Sequence, residues 1–369
     1  MPKRSTRAPK MVIIDFDTVR LYRDYVVVWF ANVATHYLLG TRIEETKAKD
    51  FTELCKRANG YVSILRESRK EVAEMRKRKG KEVQERDVCE EVPLNLTTND
   101  DRELFTLCRA VSYVCEAAQG KVGHIPLPPA LSLEFSEHIR SFLPRVSQSS
   151  RRTESVGVAL HVLGLAVLGA HIAMTYGPIG EDREIGYTYV NVPILRDVDF
   201  VKLHGMVKAV VSSVVRGNGG RLPILCGVAS AMVLNYGSKL KEVSQLVFES
   251  VRTFTSGKKG RKVKVLLKAF ESLDLTDLAR TISRLRLAKP VYILTSRYPE
   301  ADTREARLAK SFVERLSKAI VVYHSTGDLQ ELYGTLRSLS SENVVNALRL
   351  TYGDVWEDTY RGLVGAETL

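Results

Sequence analysis

The feature that most constrains the fold is an uncharged apolar run in the middle of the chain. Residues 155–180 contain no Asp, Glu, Lys or Arg, and Val156–Met174 is almost entirely apolar. This approaches the roughly 20 residues that span a bilayer, but His161 and His171 lie inside the run and no aromatic belt flanks both ends. We therefore expect a buried central helix over Val156–Tyr176, with a membrane span as the alternative.

Glycines in this run predict close helix packing. Gly157, Gly164 and Gly169 lack a side chain and allow the backbone of another helix to approach. A second uncharged run, Leu222–Ser238, is shorter and is interrupted by glycine. We expect it to form another core helix.

Length and composition predict two globular domains, or one large domain with insertions. The chain has 369 residues, 44% hydrophobic and 27% charged, which excludes a disordered chain, a collagen-like repeat and a disulfide scaffold. The segments His124–Pro129 and Ser147–Glu154 interrupt the pattern. We place the boundary near residue 150, between an N-terminal α+β domain with charged helices (1–150) and a mainly helical C-terminal domain (151–369).

The remaining pattern predicts a predominantly helical α+β fold with a small β-hairpin or sheet element that carries basic residues. A short strand is predicted over Tyr187–Pro193, and the hairpin lies within residues 246–270. Further helices are predicted over Asp100–Ala118, Val198–Val215, Leu275–Leu287, Thr303–Ala319, Leu329–Leu339 and Glu342–Leu350.

The cysteines and histidines predict neither a disulfide framework nor a metal site. The cysteines form no CxxC pair, and an odd, scattered set is typical of thiols in a reducing cytoplasm. The histidines lack the spacing of zinc ligands, so we expect no metal and no cofactor. The five cysteines are Cys55, Cys89, Cys108, Cys115 and Cys226.

The N-terminal sequence and the amide content favour a cytoplasmic protein from a thermophile. The basic start MPKRSTRAPK is followed by no apolar segment with a small-residue cleavage site, so the expected location is cytoplasmic. Asn and Gln number only nine and five, and scarce amides are typical of thermophilic proteins.

The net charge predicts an anionic partner. Lys and Arg number 55 against 43 Asp and Glu, a net charge of +12. Nucleic acid is the commonest partner of such a chain, and an anionic membrane surface is the alternative. Residues 66–81 hold eight basic side chains against three glutamates. A solvated helix face with i,i+4 ion pairs is one interpretation, and phosphate contact is the other. The cluster that favours phosphate contact is Arg76, Lys77, Arg78 and Lys79.

A second basic cluster lies on the predicted hairpin. Leu246–Thr255 and Lys262–Phe270 are β-prone runs on either side of a Gly-containing turn. Such a hairpin presents its charge to a phosphate backbone, or its lysines protect a sheet edge from pairing. No acidic residue lies among its seven basic ones, which are Arg252, Lys258, Lys259, Arg261, Lys262, Lys264 and Lys268.

The loop Gly217-Asn218-Gly219-Gly220 follows a predicted helix. Its amides could bind phosphate, or it is a plain connection between helices. Reading of a DNA sequence requires side chains at base edges, and Asn218, Lys258, Lys259 and the arginines are the candidates.

An enzymatic alternative comes from three fragments in the order of haloacid-dehalogenase-like phosphohydrolase motifs. Asp15 and Asp17 follow the apolar run Val12–Ile14 and resemble the nucleophile and the acid/base residue. Thr295 resembles the phosphoryl-binding residue at the end of a strand. The other matching residues are Lys310 or Lys318 for charge stabilisation and Asp354 with Asp358 for Mg²⁺.

Residues 160–290 carry a family resemblance. A Gly/Ala-rich apolar helix is followed by a short strand, two apolar helices around the glycine loop, the basic hairpin and Ser272-Leu273-Asp274-Leu275-Thr276-Asp277-Leu278. This order resembles the large subunit of archaeal type I-A CRISPR Cascade complexes, in which a basic hairpin segment precedes a helix that begins LDL--L. The resemblance covers about a third of the chain.

The resemblance implies a non-catalytic subunit at one end of a guide-RNA complex. Such a subunit recognises the target-flanking motif in duplex DNA and helps to open the duplex for R-loop formation, and nuclease activity belongs to other subunits. The implied partners are target DNA, the guide-RNA ribonucleoprotein, other Cascade subunits and the helicase-nuclease, with no membrane partner. The net charge independently favours binding to a phosphate backbone.

Overall fold

The computed structural model describes residues 12–22, 25–78, 87–93, 105–128, 131, 156–178, 185–191, 200–241, 246–256 and 264–367. The chain divides into two compact units. Unit 1 comprises Met1–Ala173 and Phe254–Leu267, and unit 2 comprises Met174–Thr253 and Lys268–Leu369. The predicted boundary near residue 150 lies outside the described residues.

Unit 1 is built around the apolar run. Its described helices are α1 (Val26–Leu39), α2 (Phe51–Arg78), α3 (Leu107–Ala118) and α4 (Leu160–Ala173). Helix α4 packs against α1 on one side and α3 on the other, and almost all of its residues are buried. Gly169 lies against the backbone of Phe30, and Gly164 against the backbone of Ala110. The prediction of a buried helix with close glycine contacts is therefore confirmed.

The apolar run begins as a strand rather than as a helix. Strand β3 (Val156–Ala159) is the middle strand of a three-stranded sheet, between β1 (Val12–Ile14) and β2 (His124–Pro126). It pairs parallel with β1, with Val158 opposite Ile14, and antiparallel with β2. The expected helix over Val156–Tyr176 is thus shortened, because its first four residues complete this sheet.

Unit 2 is mainly helical. Helix α6 lies at its centre, in contact with α5, α7, α8 and α9, and confirms the second core helix. The helices α8 and α12 were not among the predicted ones. The helices are α5 (Phe200–Arg216), α6 (Arg221–Tyr236), α7 (Thr276–Arg284), α8 (Ala288–Ser296), α9 (Arg304–Thr326), α10 (Gln330–Arg337), α11 (Glu342–Tyr352) and α12 (Trp356–Glu367).

The predicted short strand and both hairpin strands are present in a second sheet. Its strands lie in the order β4 (Thr175–Pro178), β5 (Ile185–Asn191), β6 (Val247–Ser256) and β7 (Lys264–Asp274). Strand β5 pairs antiparallel with both β4 and β6, and β7 lies at an edge. The chain is therefore predominantly helical with small sheets, as the α+β prediction requires.

Helix α4 has only 14 residues. Within the described part of the chain, no helix combines the length and the apolar character needed to cross a membrane.

Candidate nucleic-acid interface

Helix α2 presents a long row of basic side chains, two of which are neutralised by a neighbouring segment. The guanidinium of Arg66 lies 3.3 Å from a carboxylate oxygen of Asp87, and Arg69 forms an ion pair with Glu91. Both carboxylates lie beyond α2 in the sequence. These two arginines therefore pair with carboxylates from outside α2, which the interpretation as a face with i,i+4 pairs did not predict.

The last turn of α2 carries the basic cluster singled out in the sequence. Arg76, Lys77 and Arg78 are exposed there, where cations also interact favourably with the helix dipole. Among the described residues, neither Arg76 nor Arg78 forms an ion pair. Lys79 lies outside the described residues. Within the described part of the chain, Arg76 and Arg78 can therefore contact a phosphate backbone without first breaking an ion pair.

Two disulfides brace the elements around α2, which corrects the prediction of unpaired thiols. Cys55 on α2 is bonded to Cys115 on α3, and Cys89 is bonded to Cys108 at the start of α3, each with a Cα–Cα distance of 4.7 Å. The partners are 60 and 19 residues apart, so the local spacing carries no sign of them. Cys226 is buried and forms no disulfide.

A hydrogen-bonded chain of side chains connects α2 to α4. The hydroxyl of Tyr61 lies 2.7 Å from His171 Nδ1, and His171 Nε2 lies 2.9 Å from Glu91 Oε2. Glu91 in turn pairs with Arg69. Burial raises the pKa of Tyr61 above its ordinary value, so the phenol stays protonated and can hold α2 against α4.

The hairpin strands are present, but most of the basic turn lies outside the described residues. Arg252 is on β6 opposite Gly186, and Lys264 is the first residue of β7. Because β7 is an edge strand, edge protection stays a possible role for its lysines. The basic residues outside the described part are Lys258, Lys259, Arg261 and Lys262.

The positive charge of the chain belongs almost entirely to unit 1. The sequence of unit 1 holds 32 basic and 22 acidic side chains, a net charge of +10, whereas unit 2 holds 23 and 21, a net charge of +2. Unit 1 includes both the end of α2 and the hairpin segment Phe254–Leu267. Both basic clusters found in the sequence therefore contribute to unit 1, whereas Arg252 and Lys268 of the hairpin cluster belong to unit 2.

The glycine loop in unit 2 is a packed connection. Side chains at Gly217 or Gly219 would collide with Tyr298 or its neighbour, and the Gly220 amide donates to Glu314 Oε1 over 2.7 Å. The Gly220 amide is thus already occupied by a carboxylate. Asn218 is exposed with a φ of 54° and belongs to unit 2.

A cleft of about 520 Å³ lies near this loop. Its walls include Ser213, Tyr298 and Thr303. At its edge Arg297 pairs with Asp354. Charges of both signs line it, since Glu300 and Glu305 also face the cleft, so it is a poor receptor for a polyanion.

The residues that resemble phosphohydrolase motifs do not lie on the elements that this alternative requires. The segment around Thr295 is helix α8 rather than a strand, and Thr295 is fully buried with its hydroxyl donating to the carbonyl of Val291 over 2.8 Å. The Asp15 carboxylate accepts hydrogen bonds from its own turn, including one of 2.8 Å from the Thr18 hydroxyl. Asp354 lies on a 3₁₀ turn. In the described residues, no three His, Cys, Asp or Glu side chains are grouped to bind a metal ion.

Comparison of the chain with protein families, with curated proteins and with solved structures finds no match in any of the three.

Proposed function

We propose that this chain is a non-catalytic nucleic-acid-binding protein whose unit 1 contacts the phosphate backbone of duplex DNA. The observation that carries the proposal is the net charge of +10 on unit 1 against +2 on unit 2. Phosphate contacts by Lys and Arg supply most of the affinity of such proteins for DNA. The exposed cluster Arg76–Arg78 and the basic hairpin are the proposed contacts.

The finer role rests on the resemblance of residues 160–290 to the large subunit of type I-A CRISPR effector complexes. In that role the chain recognises the motif that flanks the target in duplex DNA and helps R-loop formation. Asn218 and the hairpin residues Lys258 and Lys259 are the proposed base-reading side chains. The guide-RNA ribonucleoprotein and the helicase-nuclease are the proposed partners. The proposed location is the cytoplasm of a thermophile, because intracellular proteins of hyperthermophiles retain disulfides.

The test is fluorescence anisotropy of the full chain with a short DNA duplex at several salt concentrations. We expect the logarithm of the association constant to fall with the logarithm of the salt concentration, with a slope of several units. The variant Arg76→Ala/Lys77→Ala/Arg78→Ala is expected to reduce that slope by about 2 to 3, since each lost phosphate contact removes about 0.9.

A matched control removes three exposed cations from unit 2. The variant Arg304→Ala/Arg315→Ala/Lys318→Ala, on α9, lowers the net charge equally and should leave the slope unchanged. Equal losses in both variants would mean that net charge alone attracts the DNA and would contradict an interface on unit 1. Absence of binding at low salt would contradict the proposal as a whole.

A further inference from the structure

Within the described residues, helix α2 has an apolar side that is buried near the start of the helix and partly exposed near its end. Leu54 is buried, whereas Val72 is 41% exposed. The two residues are 18 positions apart, which is about five helical turns and places them on the same side of α2. Met75, less than one turn beyond Val72, is 55% exposed. In the described structure this apolar side of α2 therefore continues beyond the part that is buried.

The spacing of this face is that of a helix pair. The stripe consists of Tyr61, Leu65, Ser68, Val72 and Met75, which follow one another at intervals of four, three, four and three residues. Tyr61 packs against α4 through His171, so the exposed part of the stripe begins after it. Alternating intervals of three and four define the a and d positions of a coiled coil. Leu65 and Val72 take the a positions, and Ser68 and Met75 take the d positions.

The charges beside the stripe complement those of an identical helix. Glu71 takes a g position and Arg76 the following e position, and neither forms an ion pair in the described part of the chain. In a parallel pair, g of one helix faces the next e of the other. Glu71 of each copy then forms an ion pair with Arg76 of the other copy, so that symmetry gives two such pairs.

We propose that this face of α2 binds a second copy of the chain as a parallel helix pair. An antiparallel pair would bring the e positions Arg69 and Arg76 together. A nucleic-acid strand along the stripe would lie beside the carboxylates of Glu67, Glu71 and Glu74, which are exposed on its flank. A second copy in parallel satisfies both the apolar spacing and the charges.

The inference shares Arg76 with the proposed DNA contacts, but it is tested without DNA. The part of the stripe from Leu65 to Met75 is about 15 Å long, so a concentration-dependent dimer is expected. Sedimentation equilibrium of the full chain, up to concentrations on the order of 100 µM, measures its dissociation constant. The variant Val72→Glu should abolish the dimer, while circular dichroism shows an unchanged fold because Val72 is a surface residue.

Charge reversal tests the register. Glu71→Arg and Arg76→Glu should each weaken the dimer about tenfold, because two attractive pairs become repulsive. The double variant should restore the original constant, because the pair is re-formed with its signs exchanged. A merely apolar association would show no such restoration.

Three results would overturn the proposal. They are a monomer throughout the concentration range, a dimer that tolerates Val72→Glu, and a double variant as weak as the single ones. Loss of DNA binding in Val72→Glu, with the wild-type chain monomeric, would assign the stripe to nucleic acid instead. If the dimer is present and DNA binding is absent, only the proposed function fails.

Discussion

The carbonyl oxygen of Phe30 occupies the space that a side chain at Gly169 would fill. Helices α1 and α4 thus touch through their backbones at the centre of unit 1. Buried helices can approach this closely only where one of them lacks a Cβ atom.

We predict that Gly169→Ala lowers the free energy of unfolding by about 2–3 kcal/mol, because the added methyl group forces the two helices apart. Gly60→Ala is the matched control, since Gly60 lies within α2 and has open space around it. That substitution should stabilise the protein by about 0.5–1 kcal/mol. Urea unfolding of both variants measures the difference, and an equal effect of the two would contradict the backbone contact.

The two disulfides should contribute unequally to stability. A cross-link removes more conformational entropy from the unfolded chain when it closes a longer loop. With separations of 60 and 19 residues, loss of Cys55–Cys115 should cost about 4 kcal/mol and loss of Cys89–Cys108 about 3 kcal/mol.

Paired Cys→Ser variants, Cys55→Ser/Cys115→Ser and Cys89→Ser/Cys108→Ser, measure these losses by urea unfolding without reductant. In the wild-type chain a dithiol reductant should lower stability by more than either variant does. The variant Cys226→Ala serves as the control. Because Cys226 forms no disulfide, reductant should lower the stability of this variant as it lowers that of the wild-type chain. Indifference of the wild-type chain to reductant would show that the disulfides do not form.

Unit 1 should lose stability in acid through His161. This residue is 5% exposed, stacked on Phe16 at 5.1 Å, and its burial lowers the pKa to about 4. Below pH 6.5 the imidazole of His161 is protonated in the unfolded chain but stays neutral in the folded chain. The free energy of unfolding therefore falls as the pH falls from 6.5 towards 4. The loss over this window is about 3 kcal/mol.

The substitution His161→Phe should remove this part of the acid sensitivity, because Phe keeps the ring between its aromatic neighbours and does not titrate. His124→Phe, on the exposed surface of β2, serves as the control. Thermal unfolding at pH 7 and pH 4.5 compares the variants. Equal acid losses in wild type and His161→Phe would rule out His161 as the source.

Release of Arg66 should strengthen DNA binding if unit 1 carries the interface. Asp87→Asn keeps the cap on the Cys89 amide, since Asn caps about as well as Asp, but it removes the charge that neutralises Arg66. The salt slope should rise by about 0.9 for one added phosphate contact. The measurement is the same anisotropy titration.

Asp277→Asn is the control for this change. It removes an equal charge beside Arg280 on α7 in unit 2, and it should leave the slope where it was. A rise of the same size in both variants would mean that overall charge, rather than the position of Arg66, determines the affinity.

The parts of the fold that the sequence revealed are those with a local signal. The uncharged runs predicted α4 and α6, and the glycines predicted where helices touch. The pairing of Cys55 with Cys115 had no such signal, because it depends on how α2 and α3 lie across each other. The basic cluster Arg76–Arg78 could be recognised from the sequence because its residues are consecutive. The neutralisation of Arg66 and Arg69 could not, because it depends on residues 87–91 lying against α2 in the folded chain.

Unit 1 is formed by two segments that are separated in the sequence, which affects the order in which the chain is synthesised. The segment Phe254–Leu267 belongs to this unit but follows the 80 residues of Met174–Thr253. A ribosome therefore synthesises much of unit 2 before unit 1 has all its residues. A fragment that stops at Ala173 is an unfinished unit rather than an independent domain, and the two halves of this protein cannot be separated by a single cut.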